Sequence, residues 1–547
     1  MENCHIPKKT QLTIGHLPTV MLIVGYSIFW VELFLFDTSR GSTSFLSWML
    51  FLASCLIVLI ENRVCLLRVL SNLYDFIKKE SLFERLFLVF GTLLCAFIIF
   101  VAIKASLLPP HLPQEYDSLN YHITLPRQHL IVNSFSHLSW STADLFLSPI
   151  DYSLAPYLLA TKLPNKLPQI FFSIGLLFIL ISILGHYKER NYFGKFLIVF
   201  SVLGSHFICI QMGVAMIDMI ICYLLFAFID SLLNGKHVFA VVEFAFCFWS
   251  KPQVPILISA LLFISIIFVF FIKKAGFKIY FISESCKNLE KCDLKKYAAF
   301  FLMLSLVIGG PFIAKSIKYT GTPLFPFFVG KINLNPTINV KSDYMSKILN
   351  VSNQLLGVKD QYGKGKGISA FIKHLWLISV PEKDVNNSYD YPVGLPYLLC
   401  AGVFILLFYE SIKKKKIDLM MMFIVIYWAL WWIGSNQTRF LYVPIIGMYI
   451  IVILNKRFVT RVFSIGILIS LMIASLSIFR AHKRDFGREK IEVIRSKDKM
   501  LIEMSGTVNH NEITILDFED AAFADFPIKA TNYKSSMFVL NTEKIIK

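Results

Sequence analysis

Charge is scarce in this chain. Only 16% of its 547 residues are Asp, Glu, Lys or Arg, against 56% hydrophobic residues and a mean hydropathy of +0.62. Soluble globular domains carry about a quarter charged residues, so that class is excluded. Nucleotide-binding signatures are missing too, with no P-loop and no GxGxxG after a strand, and metal motifs are missing with them, with no HExxH and no His/Cys cluster. Nucleotide-driven transport and nucleotide-sugar binding are therefore disfavoured. The 10 cysteines lie mainly in apolar stretches, with none in 109–166, 316–391 or 480–547, and no pair has zinc-site spacing. A disulfide framework is thereby disfavoured, and the cysteines read as small apolar residues. The first apolar stretch is too long for a cleavable signal and lacks a small-residue cleavage site, so it is expected to remain as an anchor.

What the chain has is long apolar runs. Stretches of about 18 to 25 mainly apolar residues suit the roughly 30 Å of bilayer hydrocarbon. They recur near 12–36, 43–60, 86–108, 167–185, 196–212, 213–232, 237–250, 254–272, 298–315, 392–409, 418–434, 438–454 and 462–479. The expected fold is an all-α polytopic membrane protein of about 13 transmembrane helices, occupying 1–480. Interfacial helices are expected near 116–133 and 367–379, where Phe, Trp, Leu and Ile interleave with His and Lys. Residues 481–547 read as a small α/β appendage, with a basic helical segment at 483–504 and strands at 512–518 and 536–541.

The net charge of +18 suggests nucleic acid only until its distribution is considered. The segments 61–85, 186–195, 273–297, 413–416 and 455–461 are all basic, and counting spans puts every one on the side of the N-terminus. By the positive-inside rule that side is the cytoplasm, and no nucleic-acid partner is needed. The loops 109–166 and 316–391 then face outward, as do the turns near 212, 251 and 436. The tail pulls against the count, since Arg480-Ala481-His482-Lys483-Arg484 reads as cytoplasmic whereas thirteen spans put it outside.

Polar residues that survive among apolar spans usually face a cavity or pair with something. The outer loop 109–166 opens with Glu115-Tyr116-Asp117-Ser118-Leu119-Asn120-Tyr121-His122, followed by Pro126-Arg127. Asp218 begins another span at its outer end, Lys251 sits in the outer turn Ser250-Lys251-Pro252, and Gln437 and Arg439 sit in a third. The convergence of these residues on one face suggests a single extracytoplasmic site. Lys and Arg there suit the phosphate of an anionic lipid carrying a sugar, while a carboxylate suits the role of general base.

In order and sidedness these pieces, with Gly321-Thr322-Pro323-Leu324-Phe325-Pro326-Phe327 and Gln437-Thr438-Arg439-Phe440-Leu441-Tyr442-Val443-Pro444, resemble the GT-C superfamily over most of 100–450. Those are polytopic glycosyltransferases that use polyprenyl-phosphate sugars, among them protein O-mannosyltransferases and the aminoarabinose transferase of lipid A. The resemblance implies a multi-pass protein of the cell (inner) membrane that transfers a sugar to an extracytoplasmic glycan, lipid or protein. It implies Asp117 as the catalytic base, with Arg127, Lys251 and Arg439 as donor-phosphate or cavity residues. Here the acids are spaced as Glu115-Tyr116-Asp117 rather than adjacent, which leaves open which of the two is the base. His122 reads as a structural hydrogen-bonding residue, and Asp218 as either a substrate contact or a pairing residue within the bundle.

No cofactor is demanded. The carboxylates leave room for a divalent cation, but no ligand cluster requires one. Two other classes stay open. An O-antigen-type polymerase or ligase would concentrate Arg and His in a late outer loop, and 316–391 carries Lys far more than either. A lipid or solute transporter would show inverted repeats, and no repeat is visible.

Overall fold

The structure is a computed structural model, and it describes residues 13–35, 40–107, 117–138, 141–158, 166–186, 192–280, 293–338, 342–357, 362–363, 367–379, 389, 392–482, 534–536 and 539–541. The described residues are almost entirely helical. All thirteen apolar stretches form helix. Among the described residues seven helices are long and apolar enough to cross a membrane: α1 (Leu17–Leu35), α2 (Arg40–Lys79), α3 (Leu82–Ser106), α6 (Leu167–Gly185), α11 (Gln253–Lys274), α16 (Leu395–Lys413) and α19 (Arg461–His482). A bent pair, α12 (Leu294–Ile308) and α13 (Gly310–Thr320), which meet at 55°, is long and apolar enough only when the two are taken together. Gly309, Gly310 and Pro311 account for that bend, because glycine frees the backbone and proline cannot donate into the preceding turn. The other five stretches form shorter helices: α7 (Tyr192–Leu203) with α8 (His206–Gln211), α9 (Asp218–Leu233), α10 (His237–Phe248), α17 (Leu419–Gly434) and α18 (Tyr442–Leu454).

The loop expected over 109–166 differs from its expectation. Besides α4 (Thr124–Val132) it contains α5 (Pro149–Leu158), whose residues are all buried and which lies along α1. The Tyr157 hydroxyl donates to the Met21 carbonyl at 3.1 Å, and Tyr152 meets Phe29 edge-on at 4.9 Å. Gly25 of α1 allows this approach, because a Cβ there would stand 1.9 Å from the Ser153 carbonyl oxygen. A search for apolar runs of about 18 to 25 residues misses such a segment, because it has 10 residues and its polar groups are satisfied inside the protein rather than by water. The helix expected at 367–379 is α15 (Ile368–Leu377), and the loop over 316–391 also carries α14 (Asp343–Gly357), which was not expected.

Contacts between distant segments define two ends. At one end, strand β1 (Lys278–Tyr280) pairs in parallel with β2 (Lys416–Asp418), Arg457 bonds Glu410, and Arg461 lies over the Phe83 ring at 5.6 Å. His16 is gripped there between Glu243 (2.7 Å) and Asp230 (3.0 Å), all three fully buried. Thus the basic segments around 81–85, 278, 413–418 and 457–461 share one end. The helix α9 starts at Asp218 and reaches Asp230 twelve residues later, about 18 Å along its axis, so Asp218 belongs to the opposite end. Helix α19 runs parallel to α3, with Arg461 near Phe83 and Phe479 near Phe97 at 6.2 Å. The tail therefore leaves from the end that α3 feeds into the acidic motif, as the span count requires.

Of the expected strand at 536–541, Val539–Asn541 (β4) is strand, and it pairs antiparallel with Lys534–Ser536 (β3). The expected helix at 483–504 and strand at 512–518 lie outside the described residues.

Candidate functional site

Asp117 enters directly before a short π-helical turn, Ser118–His122. Such turns widen the helix by one residue and recur at functional sites. The Ser118 hydroxyl donates to the Ala215 carbonyl at 2.6 Å, tying the motif to the irregular segment that leads into α9. That bond brings Asp117 and Asp218 to one place although they are a hundred residues apart in the chain.

Two ion pairs form there. The Arg439 guanidinium donates to Asp117 Oδ2 at 3.0 Å, and Lys251 Nζ donates to Asp218 Oδ1 at 2.7 Å. Phe440 joins them, with Lys251 Nζ 5.7 Å from its ring centre and the Arg439 guanidinium carbon 5.6 Å from it. Both distances suit a cation over an aromatic face. The Tyr427 hydroxyl donates to the Phe440 carbonyl at 3.0 Å, and the Trp431 indole donates to the Gln437 carbonyl at 2.7 Å, so α17 fixes the turn that carries Arg439. Gln437 thus takes part through its backbone. His374 on α15, fully buried, accepts from the Trp428 indole at 2.8 Å and donates to the Phe371 carbonyl, which holds α15 against α17 beside the same turn.

The electrostatics favour an ionised Asp117. Burial would raise its carboxyl, but Arg439, His122 and Lys251 outweigh that and hold it below the usual carboxylate value. Asp117 is also hydrogen-bonded by Tyr121, whose phenol is pushed well above its ordinary value by burial and by that carboxylate. Asp218 Oδ2 is buried and has no hydrogen-bond partner among the described residues. A carboxylate oxygen in that position can accept from a ligand at little desolvation cost.

The structure brings together Asp117, His122, Asp218, Lys251, Gln437 and Arg439 of the expected residues. His122 bonds Asp151 through Nδ1 at 2.8 Å, a carboxylate that fixes its ring. Arg127 sits half-buried on α4, and Glu115 lies outside the described residues. Tyr121, Asp151 and Phe440 escaped sequence reading. So did a second cluster, in which Lys315 bonds Asp144 at 2.8 Å, Asp144 also bonds His129 at 2.6 Å and His137 at 3.1 Å, and Lys315 lies 3.9 Å from the Phe135 ring centre. Lys315 carried a signal, since a lysine closing an apolar stretch calls for a partner. Among the described residues no group of three or more His, Cys, Asp or Glu could hold a metal ion.

No family model matches the chain, and none of the curated proteins matches it. Among solved structures it is similar to the crystal structure of ArnT from Cupriavidus metallidurans bound to undecaprenyl phosphate, with 10% identity over 80% of this chain and 85% of that one and a TM-score of 0.40. At that score no residue role transfers. The chain is a helical multi-pass membrane protein.

Proposed function

We propose that this protein is a membrane glycosyltransferase of GT-C type, moving a sugar from a polyprenyl-phosphate donor to an extracytoplasmic glycan, lipid or protein. The observation that carries the reading is the joining of Asp117–Arg439 and Lys251–Asp218 around Phe440, from four segments remote in sequence, at the end opposite the basic segments.

The pairs have a mechanism in them. In the resting site Arg439 occupies Asp117 and weakens it as a base. A donor phosphate offers Arg439 a better, bidentate acceptor, with Lys251 as a second cation. Drawing the guanidinium toward phosphate raises the basicity of Asp117 when a sugar is present. Asp117 then takes the proton of the acceptor nucleophile as that atom attacks the anomeric carbon. The carbon–oxygen bond to phosphate breaks and its electron pair leaves on the phosphate oxygen, inverting the centre. Phosphate needs little acid assistance as a leaving group, so one base and two cations suffice. Asp218 holds Lys251 in position through Oδ1. Asp151 and Tyr121 hold the surroundings of the base in place.

The test is transfer or hydrolysis of radiolabelled polyprenyl-phosphate sugars by the purified, detergent-solubilised protein, compared with Asp117→Asn. Turnover that needs Asp117 supports the donor class and the base together. Unchanged turnover in the variant removes the mechanism, and no turnover across a panel of donors that still bind removes the enzyme reading.

A further inference from the structure

The basic end carries a cluster that the transfer reaction does not use. Helix α11 ends in Lys273 and Lys274, β1 begins with Lys278, and the turn from α16 into β2 runs Lys413 to Lys416. These segments are more than a hundred residues apart, yet the strands pair in parallel with Lys278 opposite Lys416, and the Lys278 amide donates to the Lys415 carbonyl at 2.8 Å. All six lysines other than Lys414 are exposed and make no ion pair among the described residues. Both nearby acids are committed elsewhere. Glu410 is held by Arg457 (2.5 Å) and Lys414 (3.2 Å), and Asp418 turns inward to accept from the Met420 amide at 2.7 Å as the cap of α17. The stretch 281–292 that follows β1 holds two acids and two lysines, so its formal net charge is zero.

Placing basic residues on one side of a membrane explains their sign. It does not explain why two lysine segments are hydrogen-bonded together, with like charges directly opposite across a strand pair about 5 Å apart, an arrangement that costs stability unless an anion lies between them. Directly beneath the lysines the surface turns apolar: Phe270 and Phe271 on α11 and Tyr409 on α16 are each more than 60% exposed. A soluble polyanion would have no use for that surface.

We propose that this platform binds an anionic phospholipid of the leaflet at the basic end, its phosphates on the lysines and its acyl chains along α11 and α16. Basic sites between membrane helices hold such headgroups, and the spread of the lysines over two strands and two helix ends favours a headgroup with two phosphates over one. The inference is independent of the glycosyltransferase reading.

The experiment is native mass spectrometry of the delipidated full chain with cardiolipin, phosphatidylglycerol or phosphatidylcholine, and with inorganic pyrophosphate as a soluble competitor. Thermal unfolding is followed in parallel. Cardiolipin is expected to bind first, phosphatidylglycerol more weakly and phosphatidylcholine least. Lys278→Gln with Lys416→Gln should weaken cardiolipin roughly tenfold or more and abolish the rise in Tm that cardiolipin causes, without lowering the lipid-free Tm. Lys295→Gln with Lys296→Gln removes the same charge from the start of α12 and should change neither. Equal losses in both variants would mean diffuse attraction and overturn the site. Displacement of cardiolipin by equimolar pyrophosphate would overturn the lipid assignment.

Discussion

Two charged clusters stand at the same end of this molecule and differ in one respect. In the first, Asp144 and Lys315 are 0% and 3% exposed and every charge has its partner within the protein. In the second, Asp117 and Arg439 are 20% and 17% exposed, and Asp218 keeps a carboxylate oxygen unused. The chemistry of the residues is nearly the same, a carboxylate against a cation with histidine near. The difference is access. A sealed pair can only hold loop 124–145 onto α13, because nothing reaches it. An open pair can exchange one partner for a substrate, and that exchange is what a binding or catalytic site requires. Histidine and carboxylate motifs alone would rank both clusters equally.

The comparison breaks most decisively at Asp117. Asp117→Asn should lower sugar transfer by about 10² to 10⁴, the usual worth of a general base, with Tm in detergent little changed. If transfer survived and Tm collapsed, the open cluster would be scaffold. Lys315→Met should do the reverse. It leaves the buried Asp144 carboxylate to His129 and His137 without its lysine, at a cost of up to about 3–5 kcal/mol, seen as a drop in Tm or in folded yield, while the protein that still folds keeps its transfer rate per molecule.

A smaller effect is expected at Asp151→Asn, which turns the charge-assisted hydrogen bond that orients His122 into a neutral one. A bond of about 0.5–1.5 kcal/mol corresponds to a two- to tenfold loss of rate. The donor KM should stay unchanged, and a large change in KM would make His122 a binding residue. The pH profile sharpens the same contrast. Asp117 has its folded-state carboxyl held below the ordinary 3.8, by charges that outweigh its burial. Its stabilising contribution is therefore fully present above the unfolded value and is lost only as pH falls through the folded one. Unfolding followed across pH should show no loss from this pair between pH 5 and 8, with weakening confined to pH below 3.8 in wild type and absent in Asp117→Asn. The least effect belongs to the exposed Glu410–Arg457 contact, where Glu410→Gln should leave Tm unmoved in a thermal scan.

Hydropathy made the helices legible, since each apolar run contains helix, though among the described residues only seven helices and one bent pair have the length and hydropathy of a span; lysine placement made the two ends legible. What it hid were segments whose environment is set by other segments. Helix α5 carries Asp151, Tyr152 and Tyr157 and looks like outer loop until Gly25 lets it lie against α1. The pairing of Lys534–Ser536 with Val539–Asn541 hid for a different reason, because segments of three residues are too short to show a period in the sequence. The motif residues Asp117, Lys251, Asp218 and Arg439 stood out as polar groups at span ends. Their pairing did not, because Asp117 and Arg439 are 322 residues apart and nothing local specifies which cation meets which acid. Phe440 was invisible among 51 phenylalanines.

Helix α9 is clamped at both of its charged positions, to Lys251 through Asp218 and to His16 through Asp230. It behaves as a spindle with a key at each end. Inserting one residue between them would turn one key by about 100° relative to the other, so that His16 and Lys251 could not both be served. Inserting a full turn of helix would restore the angle but push the keys about 5 Å apart. The length of this segment, more than its composition, is therefore what the molecule can least afford to change.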